Sequence, residues 1–158
     1  MANTMRWRYG ETNPVVLPVA SATVIEIGDL VYLDTTAKPA GGGTYGASLA
    51  AAQEWLHDRF AGVAMQQSRA GDIEDIRVAT TGVFEFPCAS ATFEVGARLG
   101  IDDNVGGTAL LDQQVIAVNT ANPELSVGYC AKRVNPAATS VLVDVVGTLT
   151  HGGPQAMA

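Results

Sequence analysis

The chain has 158 residues, 47% hydrophobic and 16% charged, a composition that fits one globular domain and argues against a disordered polypeptide. Its formal net charge is −7 and its nine basic residues are scattered, so nucleic acid is not an expected partner, because phosphate binding depends on clustered lysine and arginine. No apolar run reaches the length of a signal peptide or the roughly 18 residues of a membrane span, so no membrane partner is expected.

The first segment, residues 1–14, is predicted to be an extended arm, net basic on an otherwise acidic chain. Apolar or aromatic residues alternate with arginines along it: Met5, Arg6, Trp7, Arg8 and Tyr9. In an extended chain this alternation places three apolar or aromatic side chains on one face and two guanidinium groups on the other. The arm is therefore predicted either to add a strand to the sheet edge of a partner or to form an edge strand of its own domain.

After the arm, residues 15–150 repeat one pattern, which predicts an internal duplication over about 15–85 and 86–150. The segment Leu17–Thr23 recurs as Phe86–Thr92, with five of the seven positions identical. Further pairs follow in the same order: Gly28 with Gly96, 30–33 with 98–101, 60–64 with 126–130, and 76–78 with 141–143. A chance match of seven residues would not be followed by these landmarks in register, so we predict two tandem units of one design.

Each unit is predicted to be a short β module. Its opening strand should end at a proline, Pro18 or Pro87, because proline cannot donate to a sheet ladder. Residues 30–33 are all apolar and predict a strand buried on both faces, whereas 141–146 is the strongest β-branched segment and 110–118 a weaker strand. The sequence therefore predicts a mainly β fold, a compact barrel-like or sandwich-like domain.

One segment of the first unit departs from the β pattern. A glycine-rich loop over 38–46 is followed by 48–60, which contains no glycine or proline and many good helix formers. Its apolar residues recur at helical spacing: Leu49, Ala52, Leu56 and Phe60. We predict one short helix near 48–60, and a flexible tail over 151–158.

No set of residues predicts catalysis, a cofactor or a metal site. His57 and Asp58 are adjacent, so on a helix their side chains point about 100° apart and do not face each other. His151 lies in the predicted tail, and Asp102–Asn104 lacks the alternating acids of a calcium loop and is better explained as a turn. The cysteines are predicted to be buried thiols, with a disulfide left open: Cys88 and Cys130.

Several segments together resemble a family of small phage proteins described as capsid cement or decoration proteins. The segments that carry the resemblance are Val16–Thr23, Gly28–Asp34, Phe60–Ala64, Val78–Phe86, Val95–Asn104 and Val127–Tyr129. The similarity spans roughly residues 14–147 and is a pattern of strands and turns rather than of reactive groups. The loop and helix at 38–60 are longer than the family minimum, and the arm is particular to this chain.

The resemblance implies a role similar to that of the lambda-type head decoration proteins. Such a protein is a compact β fold, often a homotrimer, that binds the major capsid protein on the outer surface of the expanded head. It would be made in the host cytoplasm and carried on the virion. On this hypothesis the arm residues are the candidate capsid-binding residues: Met5, Arg6, Trp7, Arg8 and Tyr9.

Two other classes of function are alternatives to this structural role. A β-sandwich displayed on a virion or cell surface to bind glycans would favour exposed aromatics on a concave face, yet aromatic residues make up only 6% of the chain. An enzyme would need titratable groups gathered in one pocket, and the sequence suggests none. The sequence therefore favours a capsid-binding structural protein without catalytic residues.

Overall fold

The computed structural model describes residues 3–152 of the chain. Its strands are β1 (Trp7–Tyr9), β2 (Val15–Leu17), β3 (Leu30–Asp34), β4 (Thr36–Pro39), β5 (Phe60–Ala64), β6 (Ile76–Ala79), β7 (Thr81–Phe93), β8 (Arg98–Asp103), β9 (Leu110–Ala117), β10 (Gly128–Cys130) and β11 (Val134–Val146). The helices are α1 (Leu49–His57) and α2 (Thr148–His151), and short 3-10 turns cover Ala40–Gly42 and Pro123–Leu125. The predicted mainly β fold is confirmed.

The strands form two antiparallel sheets that repeat one strand order. One sheet runs β2-β6-β5-β3-β4, and the other runs β1-β7-β11-β10-β8-β9. Without β1, each strand of the first sheet has a counterpart at the same place in the second, in the pairing that the predicted repeat implies. The boundaries of the duplication stay a prediction, but the shared topology is what two copies of one unit would produce.

Backbone hydrogen bonds repeat along with the strand order. Gly28 donates its N–H to the carbonyl oxygen of Ala64 at 2.9 Å, and Gly96 donates in the same way to Cys130 at 2.9 Å. Both glycines have a positive φ, +98° and +87°, which L side chains rarely adopt. The two glycines therefore make the same turn at equivalent places in the two sheets.

The apolar core has two parts. The five-stranded sheet curls into a half-barrel, because the N–H of Ala37 in β4 bonds to the carbonyl oxygen of Pro18 just after β2 at 2.8 Å. Its interior holds Leu17, Ile25, Val31, Ala61 and Val78 among others. The larger cluster joins the outer side of this sheet to the second sheet and to α1, and includes Leu30, Leu56, Phe60, Phe84, Phe86 and Val143. The two units thus share one continuous packing layer.

The predicted helix is present but shorter than 48–60. Ser48 caps its start, with Oγ accepting a hydrogen bond from the N–H of Ala51, and α1 ends at His57. Ala52 and Leu56 are buried as the periodicity predicted. Phe60, which was assigned to the helical face, instead opens β5 opposite Tyr32, because pairing with β3 buries the ring completely.

The prediction that Pro87 ends its strand is wrong, since β7 continues from Thr81 to Phe93. Glu85 donates its N–H to Arg6 on the β1 side, and alternate residues of a strand direct their polar backbone groups to the same side. The backbone nitrogen of Pro87 therefore points away from β11, to the side where β1 lies, at a level beyond the end of β1. The missing N–H of proline removes no bond to β11 there.

Candidate functional site

The arm lies along its own body as an edge strand, which is the second of the two predicted alternatives. In β1, Trp7 lies opposite Phe84 and Tyr9 opposite Val83 of β7, with a register shift between them. Upstream, Thr4 donates its N–H to the carbonyl oxygen of Ile27 at 2.9 Å. The arm is thus fixed at both ends to the folded domain.

Arg6 is the arm residue that anchors this arrangement. Its Nε donates to Oε1 of Gln113 at 2.8 Å, and its guanidinium lies 5.6 Å from the centre of the Phe86 ring. Gln113 is fully buried and its Nε2 donates to Oδ1 of Asp29, which is also buried, at 2.8 Å. Burial lowers the pKa of Arg6, with the nearby charge of Arg8 as the second cause. The arm therefore completes a polar chain, Arg6–Gln113–Asp29, that ends inside the domain.

The sequence pattern of the arm did not predict its contacts with Gln113, Asp29 or Gly28, where the arm rests on the body. A signal was present next to the matched glycines, because Asp29 follows Gly28 in the first unit whereas Ala97 follows Gly96 in the second. A buried carboxylate that only one copy carries indicates that this copy has a polar partner to satisfy there.

Burial raises the pKa of Asp29 to about 6, although hydrogen bonds from the Glu26 N–H and from Gln113 oppose the rise. At pH values between about 3.8, the ordinary aspartate pKa, and about 6, the Asp29 carboxyl is protonated in the folded protein but has lost its proton in the unfolded chain. Raising the pH through this window therefore lowers the contribution of Asp29 to the free energy of unfolding.

We expect Asp29→Asn to abolish this pH dependence. Urea unfolding of both proteins across the window should show the wild type losing stability relative to the variant as the pH rises. The comparison of pH slopes removes any constant effect of the altered hydrogen bonds. A wild-type-minus-variant difference that is the same at every pH would show that the Asp29 carboxyl titrates normally.

The other arm side chains are presented to solvent. Met5 is 50% exposed, Trp7 41% and Tyr9 52%, although all three belong to types that usually contribute to cores or interfaces. The Trp7 indole N–H donates to the carbonyl oxygen of Gly10 at 3.0 Å, which fixes the ring. We call Met5, Trp7 and Tyr9 the arm face. Since β1 is already ordered, a partner that covers this face need not immobilise a free peptide.

The outer backbone edge of β1 is covered by Arg8. Because the carbonyl of Arg6 faces β7, those of Met5 and Trp7 face outward. Nη1 of Arg8 donates to both, at 3.3 and 3.2 Å, while Nη2 pairs with the Glu85 carboxylate at 3.1 Å. This cover opposes strand addition at the edge, as charged residues on edge strands do in other proteins. The structure thus favours side-chain contacts of the arm face over strand addition to a partner.

The titratable residues considered in the sequence do not gather in one pocket. Nδ1 of His57 lies 2.7 Å from the carbonyl oxygen of Ser126, and Nε2 of His151 lies 2.7 Å from Oγ1 of Thr80. His151 is therefore the last residue of α2 rather than part of a free tail, while 153–158 of the predicted tail lie outside the described residues. Both cysteines are buried and free, so the disulfide left open by the sequence is not formed: Cys88 and Cys130.

Residues 3–152 contain no group of three or more His, Cys, Asp or Glu residues that could hold a metal ion. No helix within this range is long and apolar enough to cross a membrane.

A family model described as phage cement protein matches residues 44–145, which is more than half of the chain. The chain belongs to the phage cement protein family. The match covers α1, β5 and the second sheet from β7 to most of β11, and it leaves the arm outside. No curated protein and no solved structure matches the chain.

Membership of this family gives the chain a capsid cement role and a place on the phage capsid. This favours the structural hypothesis over the glycan-binding and enzymatic alternatives. The matched region leaves β2, β3 and β4 outside as well as the arm face.

Proposed function

We propose that this cement protein binds the outer surface of the expanded phage head through its arm face, and stabilises the shell by bridging neighbouring capsomers as a homotrimer. The observation that carries the proposal is the exposure of Trp7 and Tyr9 on the ordered strand β1, with exposed Met5 just before it. Aromatic and methionine side chains are enriched at the centres of protein interfaces. Their partner in this proposal is the major capsid protein.

The binding of this protein to the head and the expansion of the head are linked equilibria, which explains how such a contact would strengthen the shell. A subunit that binds only the arrangement of capsomers found in the expanded head stabilises that state by mass action. Several arm faces carried by one oligomer also make the later contacts effectively intramolecular. A modest contact by each arm therefore becomes strong attachment of the whole assembly, and the acidic surface keeps the decorated particle soluble.

The test is a double substitution, Trp7→Ala with Tyr9→Ala, in the full chain. Binding to expanded capsids, measured by cosedimentation, should weaken about a hundredfold or more, because buried aromatic anchors are the side chains whose truncation most reduces affinity. Arg6 is kept, so the polar chain to Gln113 still holds the arm. The matched control, Val24→Ala with Val105→Ala, removes exposed apolar side chains outside the arm and should bind normally.

Two outcomes would contradict the proposal. If the double variant binds as tightly as the wild type, the arm face is not the contact. If the wild type binds unexpanded and expanded capsids equally, the preference for the expanded shell is wrong. Trypsin digestion provides the check on folding, because cleavage after Arg6 and Arg8 should stay slow in the variant if the arm is still seated.

A further inference from the structure

Two surface hollows lie at equivalent places in the two units. The first, of about 370 Å³, is lined by the β5–β6 connection, and the second, of about 220 Å³, by the β10–β11 connection and β11. The strand pairing beside them is the same, since the N–H of Met65 bonds to Arg77 and that of Ala131 to Leu142, both at 2.9 Å. The two units therefore have the same strand pairing at this place, but each has a hollow of different size and lining beside it.

The two hollows carry opposite charge. The first is bordered by Asp72, Glu74 and Asp75, all exposed, with Arg69 as the only basic residue of its connection. The second is bordered by Lys132 and Arg133, and its own connection contains no acidic residue. This opposition is not what the ancestry of a repeat would give by itself, and it makes the two surfaces electrostatically complementary.

Neighbouring groups do not cancel the basic character of the second hollow. Glu85 also lines it, but its carboxylate is paired with Arg8. Arg133 pairs in the same way with Glu94 at 3.1 Å, so the excess positive charge of the hollow comes from Lys132. Within residues 3–152 Lys132 has no ion pair.

The apolar groups of the two surfaces also correspond. Ile73, which lies in the acidic connection beside the first hollow, is 74% exposed, which is unusual for a large aliphatic side chain. The basic hollow has an apolar side formed by Val134, Val141 and Leu142, the first and last of them partly exposed. An exposed apolar side chain among acidic residues is thus complementary in polarity to an apolar recess with a basic rim, and we call the Ile73 side chain the knob.

We propose that the Ile73 knob of one copy enters the Lys132–Arg133 hollow of a second copy. The contact is head-to-tail, because each copy carries one knob and one hollow on different units. Such a contact leaves a free knob and a free hollow at the two ends, so association continues until a ring closes. It supplies the self-association of the proposed function, but it needs no capsid and is tested without one.

The first test is sedimentation of the purified full chain over a wide range of protein concentration. Ile73→Ser should weaken self-association about tenfold or more, through the loss of a buried aliphatic side chain. The control Val105→Ser alters an apolar residue elsewhere that is still more exposed than Ile73, and it should leave the assembly unchanged. Lys132→Glu with Arg133→Glu should weaken association more strongly at low salt than at high salt, because screening reduces charge repulsion.

Mixing the two defective proteins tests the head-to-tail arrangement. The Ile73→Ser protein keeps its hollow, and the Lys132→Glu/Arg133→Glu protein keeps its knob, so one contact can form between them and the mixture should stop at a 1:1 pair. A monomeric wild type, a normal assembly of either variant, or a mixture with no pair would each overturn the inference. Normal assembly of Ile73→Ser with lost capsid binding would assign the knob to the shell instead.

The experiments distinguish a failure of the contact between copies from a failure of the proposed binding of the arm face to the capsid. Sedimentation without capsids reports only the contact between copies, whereas cosedimentation of the Trp7→Ala/Tyr9→Ala protein reports only the arm face. A wild type that assembles but does not bind capsids would retain the knob contact and reject the proposed attachment.

Discussion

Gly28→Ala is expected to lower the free energy of unfolding by about 2–3 kcal/mol more than Gly96→Ala does. Both glycines have φ near +90°, so both substitutions introduce similar backbone strain, about 1–2 kcal/mol. Only Gly28 lies beneath the arm, where a β-carbon would overlap the Thr4 carbonyl oxygen and approach Arg6 Cγ within 3.3 Å. Nothing lies within 4 Å of a β-carbon at Gly96.

The extra loss of stability in Gly28→Ala should come from displacement of the arm from the surface of the body. When Arg6 moves, Oε1 of the fully buried Gln113 loses its donor, and an unsatisfied buried polar group costs about 1–3 kcal/mol. Trypsin should then cut after Arg6 and Arg8 much faster in Gly28→Ala than in Gly96→Ala, while urea unfolding gives the difference in stability. Capsid binding should fall in the first variant alone. Equal stability and equal cleavage of the two variants would show that the arm does not depend on this seat.

Gly62→Ala is expected to have the largest effect on stability, about 4 kcal/mol or more. Gly62 has a φ of +147° in β5, and a β-carbon there would overlap the carbonyl oxygen of Ala79 in β6. Backbone atoms of a paired strand cannot move aside as the end of a flexible side chain can. The substitution must therefore separate β5 from β6 and open the half-barrel.

Gly71→Ala is the matched control for Gly62→Ala. Its φ is also positive, +95°, but a β-carbon there meets no atom within 4 Å, so only the strain of about 1–2 kcal/mol applies. Thermal or urea unfolding of both proteins would measure the contrast. A β-carbon at Gly128, the counterpart of Gly62 in the second sheet, would overlap the carbonyl oxygen of Asp144 less severely and without a positive φ, so Gly128→Ala should cost less than Gly62→Ala. A mild effect at Gly62 would mean that β5 and β6 are not packed as closely as described.

Much of the fold could be predicted because its signals are local or repeated. The apolar run 30–33 became β3, the strand predicted at 110–118 is β9 (Leu110–Ala117), and the helical spacing around Ala52 and Leu56 became α1. The order of matched segments anticipated the shared strand order of the two sheets, since each repeated segment keeps its place in its own unit. These features depend on periodicity and on nearby residues, which a sequence displays directly.

The sequence by itself determined the mainly β fold, the alternation within the arm and the resemblance to cement proteins, and it predicted the division into two units. Only the tertiary structure decided that the arm pairs with β7 of its own chain, that Arg6 reaches Gln113, and that Phe60 belongs to β5. Each of these depends on residues far apart in the chain, because a strand offers the same backbone groups to any free edge and only packing selects one. The sequence thus determined that the arm carries the apolar and aromatic side chains of Met5, Trp7 and Tyr9. The pairing of β1 with β7 determined where on the protein surface these side chains lie.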